Sequence, residues 1–280
     1  MTPKVLGEAN KNSRIDSRRE SYRPFYDCQW HCELDETTKR FPDLARIFLD
    51  LAMSWRGASN TQYLPAHTVH LLEIFANNHD PYGKEFQEEF IARLMCRIGN
   101  DLSNMKRKQV RNAAGDVFDE IRQEMANVVL DGGTFWNNDF GANQEIRLAI
   151  IGTQRMCYAA IYYAYENFVL QIYQLVSASP NYRIRDAKSF SKDFAGTFGA
   201  GLRTFCWSAP AIRIAGLVRN ALVHNGGRMT DQLRNEEHDF EVVDGEIQVL
   251  PGHTKALHDL LKERVPRLVN ETIAKLSERA

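Results

Sequence analysis

The sequence predicts a mainly α-helical protein: a helical bundle with an appended β-hairpin and an additional N-terminal helical region. Three observations predict it. Apolar residues recur at helical spacing through most of the chain. One long segment is apolar around much of its circumference, as a central bundle helix is. The strong strand signal is an Asp-Gly pair between two short β-like runs. At 280 residues the chain can bury a substantial core, as one large domain or two smaller ones.

Residues 1–37 are polar and irregular, with Arg14, Arg18, Arg19 and Arg23 among Asn, Ser, Asp and Glu, and read as an arm that is frayed or laid on the rest. From Phe41 the pattern changes. Leu44, Ile47, Phe48, Leu51 and Trp55 fall at helical spacing, and a second helix over 67–76 is expected to break at Asp80-Pro81-Tyr82-Gly83. Phe86, Phe90, Ile91, Leu94, Met95, Ile98 and Leu102 make the next stripe. Val117, Phe118, Ile121, Met125 and Val128 make the one after, ending near Asp131-Gly132-Gly133. Residues 38–130 therefore read as a helical auxiliary region, and not as a Rossmann unit.

A second domain is expected over 141–280. It opens with a long helix over 143–176 that should lie centrally, stopped by Ser179-Pro180-Asn181. SAPAIRIAGLVRNALVHN reads as another helix, with Ser208 as N-cap and Pro210 in the first turn. FEVVDGEIQVL then gives a hairpin near 239–250, turning at Asp244-Gly245. Leu257, Leu260, Leu261, Val265, Leu268, Val269, Ile273 and Leu276 form one last helix, which Pro266 is expected to kink.

The formal net charge of −1 excludes a wholesale electrostatic footprint for nucleic acid but leaves room for local patches. The window 183–219 is one: seven basic residues stand against Asp186 and Asp193, and Arg203 and Arg213 within it are candidate RNA contacts, with Trp207 or a tyrosine for stacking. The other reading of this window is a solvated helix surface with intramolecular pairs. Arginines outnumber lysines 24 to 11, which favours planar, multidentate contacts to carboxylate or phosphate. Five cysteines, an odd number, fit a reducing compartment better than a disulfide framework. With no N-terminal apolar signal and no run of 18 apolar residues, a soluble cytoplasmic protein without membrane contact is expected.

The chemistry concentrates in VRNALVHNGG, residues 218–227. His224, Asn220, Leu217 and Arg213 share one stripe, whereas Arg219 lies about 140° around the helix from His224. Either the Arg219 stem must reach, the last turn must deform, or a second subunit must complete a site. Asn225-Gly226-Gly227 reads as a left-handed helix stop. One interpretation is structural, with His224 capping terminal carbonyls, Arg219 paired to an acid and Asn220 bonded along the helix. The other is catalytic: a histidine can shuttle a proton while an arginine binds phosphate, which suits metal-independent RNA cleavage through the 2′-hydroxyl.

RNALVH has the form Arg, polar residue, three residues, His, and resembles the signature of the HEPN superfamily, the higher-eukaryote-and-prokaryote nucleotide-binding domains. The preceding YYAYENF helix, the Asn-Gly-Gly exit and the final amphipathic helix are similar to that family's arrangement, and the resemblance covers roughly 141–280. It implies a helical, dimerising domain and a ribonuclease of toxin, stress-response or antiviral systems. It further implies that Arg219 and His224 form the catalytic pair, with Asn220 as the positioning residue between them. The partners implied are RNA, a second copy of the chain, and an antitoxin or regulatory defence protein. No metal or other cofactor enters this chemistry. A different class of function, a noncatalytic nucleotide-binding or protein-interaction module, is the alternative.

Glu166 in the long helix is a candidate to orient Arg219 or His224, against the reading of an ordinary core ion pair. Tyr158, Tyr162, Tyr163 and Tyr165 could stack a base, although an aromatic helix face more often packs a core. Arg111-Asn112 repeats the start of the motif, but Asp116 stands where His224 would, so it has no proton shuttle. Neither Cys28, His31 and Cys32 nor His67, His70 and Glu73 has a matching second ligand pair, and metal is not expected at either. His238, His253 and His258 are assigned to surface or interface positions. The paired glycines lack phosphate-loop spacing.

Overall fold

A computed structural model describes residues 19–77, 84–98, 104–126 and 131–279. It is mainly helical with one small hairpin. Two compact units divide the chain: residues 1–65 with 143–280, and residues 66–142. This division differs from the expected boundary between 130 and 141, because the first part of the auxiliary region belongs with the C-terminal domain.

The first unit begins with a single turn, Arg19–Tyr22, whose Tyr22 is buried. Helix α1, Cys28–Thr38, corrects the expectation of an irregular arm throughout 1–37. Its polar composition hides the periodicity, but Asp27 supplies the start signal: its carboxylate accepts from the Gln29 and Trp30 N–H groups at 2.9 and 3.1 Å. The same carboxylate takes Lys262 Nζ at 2.6 Å, tying the cap to the C-terminal helices. The Lys262 bond, then the backbone bonds, hold the Asp27 carboxyl below the usual carboxylate range. A lowered pKa contributes stability above the ordinary carboxylate value and loses it as pH falls through the folded value. Asp27→Ala should therefore cost about 0.5–2 kcal/mol at neutral pH. The gap from wild type, followed by urea unfolding, should narrow under acid.

Helix α2, Pro42–Asn77, joins the two helices expected around 41–55 and 67–76. Pro65 lies within it, at the division between units. Over 42–65 it buries Leu44, Phe48, Leu51 and Trp55 in the core that also holds Phe168 and Ile212. The Trp55 indole N–H donates to the Ile161 carbonyl at 3.0 Å, satisfying a buried donor across the packed interface. These contacts explain why 42–65 joins the later domain: its apolar stripe is covered by helices over 90 residues downstream.

The second unit contains the rest of α2, then α3, Lys84–Ile98, and α4, Asn104–Ala126. Phe90 and Phe118 approach with ring centroids 5.3 Å apart. Arg111 and Asn112 lie exposed on α4. The expected break at 80–83 falls outside the described residues. Asp131 does not end a helix but starts a turn, accepting from the Gly133 and Thr134 N–H groups at 3.1 Å each.

Back in the first unit, the long helix expected over 143–176 is α5, Gln144–Ser177, capped by the Asn143 side chain and burying Tyr158, Ile161, Tyr165, Phe168 and Ile172. Helix α6, Ala187–Phe198, adds Phe190 and Phe194 to the same core. Helix α7, Pro210–His224, carries the motif. Its N-cap is Ala209, not Ser208, whose hydroxyl instead lies 3.5 Å from the Arg203 carbonyl. Pro210 at the first position needs no partner for a missing N–H, so the helix starts without a side-chain cap.

The hairpin pairs β1, Val242–Val243, antiparallel to β2, Glu246–Ile247. Asp244 and Gly245 between them both have positive φ, 51° and 79°, the turn geometry that twists with the strands. The expected single last helix is two, α8, Pro251–Lys262, and α9, Val265–Ser277. Pro266 starts the second rather than kinking one, since a proline is tolerated in a first turn and costly inside. Among the described residues no helix is long and apolar enough to cross a membrane.

Candidate functional site

Three elements build the surroundings of the motif. Helix α7 packs on α5, and its buried edge is Ile212, Ala215, Val218 and Ala221. The opposite side carries Arg213, Asn220 and His224, all exposed. This matches the stripe expected at 100° per residue. His224 ends the helix, and among the described residues its side chain has no hydrogen-bond or ion-pair partner, so it caps no carbonyl. The left-handed helix stop expected at Asn225-Gly226-Gly227 is made by the glycines, Gly226 at φ 62° and Gly227 at φ 85°, with Asn225 at φ −121° leading into them. The Asn225 and Gly227 N–H groups both reach the Ala221 carbonyl, at 3.1 and 2.9 Å.

Arg219 faces α5. Its guanidinium pairs with Glu166 and lies over the Tyr162 ring, 5.5 Å from the centroid. Both side chains of the pair are mostly covered, with 16% and 25% of their surface exposed. Burial pushes the Glu166 carboxyl above its usual value, and the Arg219 charge pulls it back. Arg219 Nε is buried and lacks a hydrogen-bond partner among the described residues. Glu166 thus touches Arg219 and not His224.

These groups border a cavity of about 360 Å³ between α5, α6 and α7. Tyr162, Glu166, Arg219 and Asn220 form one side, and Lys188, Trp207 and Arg213 another; His224 is not among its lining residues. Arg213 is bound through both terminal nitrogens by Glu236, which reduces the free positive charge there. Arg203 does not line the cavity; its Nη2 lies 3.4 Å from the Thr204 hydroxyl. The Trp207 indole N–H is 3.5 Å from the Ala187 carbonyl. Arg183, Arg185, Lys188 and Lys192 are exposed, as a solvated basic surface requires. Of the tyrosines considered for stacking, Tyr158, Tyr162 and Tyr165 are buried and Tyr163 is open.

Sequence reasoning missed two supports. A Cβ added to Gly216 would sit 2.6 Å from the Tyr162 hydroxyl, so the glycine is the notch that lets the ring lie beneath Arg219. A glycine inside a helix, where it costs stability, was the available signal. Gly216→Ala should destabilise the fold by about 1–3 kcal/mol through this overlap, read as a lower denaturation midpoint. The other support is Arg155, whose guanidinium carbon would be 2.9 Å from a Cβ at Gly227 and whose Nη2 meets Glu246 at 2.7 Å. It fastens the exit of the motif helix to the hairpin, a contact too distant in sequence to read.

His258 corrects another expectation. It is fully buried, against Phe25 and Trp55 with centroids 4.9 Å from each, and not at a surface. The His31 ring is occupied by a 2.8 Å bond between Nδ1 and the Tyr26 hydroxyl, and His70 lies 3.8 Å from Glu73. Among the described residues no three His, Cys, Asp or Glu side chains are grouped to hold a metal ion. Comparison with protein-family models, curated proteins and solved structures finds no match to this chain.

Proposed function

We propose that the protein is a metal-independent RNA endonuclease whose working groups are His224, Arg219 and Asn220. The observation that carries this reading is the contrast in the motif: an exposed, unbonded His224 in line with Asn220, beside an Arg219 fixed by Glu166 at a cavity edge. An exposed imidazole with no partner among the described residues is free to meet a ligand and to carry a proton. The resemblance of RNALVH to the HEPN signature supplies the reaction class.

In the proposed reaction His224 takes the proton of a 2′-hydroxyl, and the 2′-oxygen attacks the adjacent phosphorus. The bond from phosphorus to the 5′-oxygen breaks, and that oxygen receives a proton from the second His224 of a dimer or from water. The products are a 2′,3′-cyclic phosphate and a 5′-hydroxyl end. Arg219 stabilises the charge growing on the nonbridging oxygens, and Asn220 positions the strand by hydrogen bonding. Glu166 is a positioning residue that acts through Arg219.

The direction of Arg219, turned about 140° from His224, is why the site is assigned to a two-fold dimer, in which two motifs share a cleft. Met156 and Tyr163 on α5 and Val223 within the motif are apolar residues left 64%, 63% and 55% exposed, and the dimer contact is assigned to them. The same separation favours the second reading, a noncatalytic nucleotide-binding or protein-interaction module, if no dimer forms. An antitoxin or a regulatory defence protein is the further partner this reading proposes. Incubating the purified protein with matched RNA and DNA in excess chelator tests it: RNA alone should be cut. Intact RNA from a dimeric, folded sample would leave only the binding module. Met156→Glu should weaken dimerisation by tenfold or more, seen by light scattering across a dilution series, and lower cleavage in parallel.

A further inference from the structure

A second cleft lies on the other side of α7, and the segment that walls it is the most acidic stretch of the first unit. Residues 231–246 hold seven carboxylates against one arginine. Three of the seven are paired: Asp231 with Arg234, Glu236 with Arg213 and Glu246 with Arg155. Glu237 and Asp239 are exposed and have no basic partner among the described residues, and both line the cleft.

The cleft encloses about 280 Å³. Its floor is apolar, made by Tyr158, Ile214, Leu257 and Leu260. One wall is aromatic: the Phe240 and His253 rings lie 4.6 Å apart, and Tyr158 meets Phe240 edge-on at 5.7 Å. His253 Nδ1 accepts the Leu250 N–H at 3.1 Å, and burial disfavours the ring's charged form while the nearby Asp239 carboxylate favours it. Carboxylates at the mouth, flat π faces along one side and a greasy floor are complementary to one kind of group: a cation that is planar at its tip and aliphatic along its stem.

We propose that this cleft docks an arginine side chain presented by a basic segment of a partner protein. The guanidinium would lie against Phe240 and His253 with its edge toward Asp239 and Glu237, and the methylene stem would cover Ile214 and Leu260. An acidic lip repels nucleic acid, so this surface is separate from the basic one proposed for RNA, and the inference holds whether or not RNA is cleaved.

Fluorescence anisotropy of a labelled peptide, Ser-Gly-Arg-Leu-Arg-Gly-Ser, titrated with the full chain provides the test. Saturable binding is expected, at least tenfold weaker when citrulline replaces both arginines and several-fold weaker when lysine does. The double variant Glu237→Gln, Asp239→Asn should reproduce the tenfold loss with the fold unchanged by circular dichroism. Ala211→Trp, which fills the cleft from an exposed position, should abolish binding. Equal affinity for the citrulline peptide, wild-type affinity in the double variant, or no binding at all would overturn the proposal.

Discussion

His224→Ala should lower the rate of RNA cleavage by about 10²–10⁴-fold, the range that a positioned proton-transfer group supplies. Helicity and dimerisation should be unchanged. His224 is exposed and bonded to no described residue, so its removal leaves no cavity and orphans no buried donor. That separation of activity from stability makes this variant informative. His224→Gln should be as inactive as the alanine, because an amide can hydrogen-bond but cannot carry a proton near neutral pH. Initial rates on a defined single-stranded RNA, compared at matched dimer concentration, measure the effect.

Arg219→Ala should behave differently, losing both activity and stability. Removing a group that stabilises transition-state charge costs about 10²–10³-fold in turnover. The same change strands Glu166, whose carboxylate is largely covered and already raised by burial. Leaving a buried charge without its counter-ion should cost about 1–3 kcal/mol, less than a fully interior pair because both side chains reach solvent. Restoring neutrality separates the two effects. In the double variant Arg219→Ala, Glu166→Gln the urea midpoint should recover while cleavage stays low. Arg219→Lys should keep part of the stability and little of the activity, since a point charge cannot reproduce the planar, forked contact.

Periodicity made the helices legible where a helix buries one face. The Asp244-Gly245 turn was readable because its signal is local: two adjacent residues that tolerate positive φ. Errors arose where tertiary contacts decide. Helix α1 reads as polar coil, yet Asp27 and its distant partner Lys262 fix it, and no local pattern reveals a partner over 200 residues away. Residues 42–65 look like part of an auxiliary region until Trp55 is seen donating to Ile161. Pro266 was expected to bend a helix and instead begins one, since periodicity does not register a phase break between two short helices that share an apolar face.

The motif residues were likewise legible as types at a spacing, and the stripe of Arg213, Asn220 and His224 followed from helix geometry. What surrounds them was not. The Tyr162 ring beneath Arg219, the Gly216 notch and the Arg155 clamp each require knowing how α5 lies against α7. Arg213, expected to be available to RNA, is held by Glu236 from a segment that follows the motif helix.

The proposed nucleophile is a 2′-hydroxyl activated by His224. The most direct measurement uses an RNA in which the ribose at a mapped cleavage position carries hydrogen in place of that hydroxyl, with fragments identified by mass spectrometry. No scission is expected at the altered bond, and 2′,3′-cyclic phosphate with 5′-hydroxyl ends at unaltered ones. Cutting of the 2′-deoxy bond at the original rate, or fragments bearing 5′-phosphate, would contradict it.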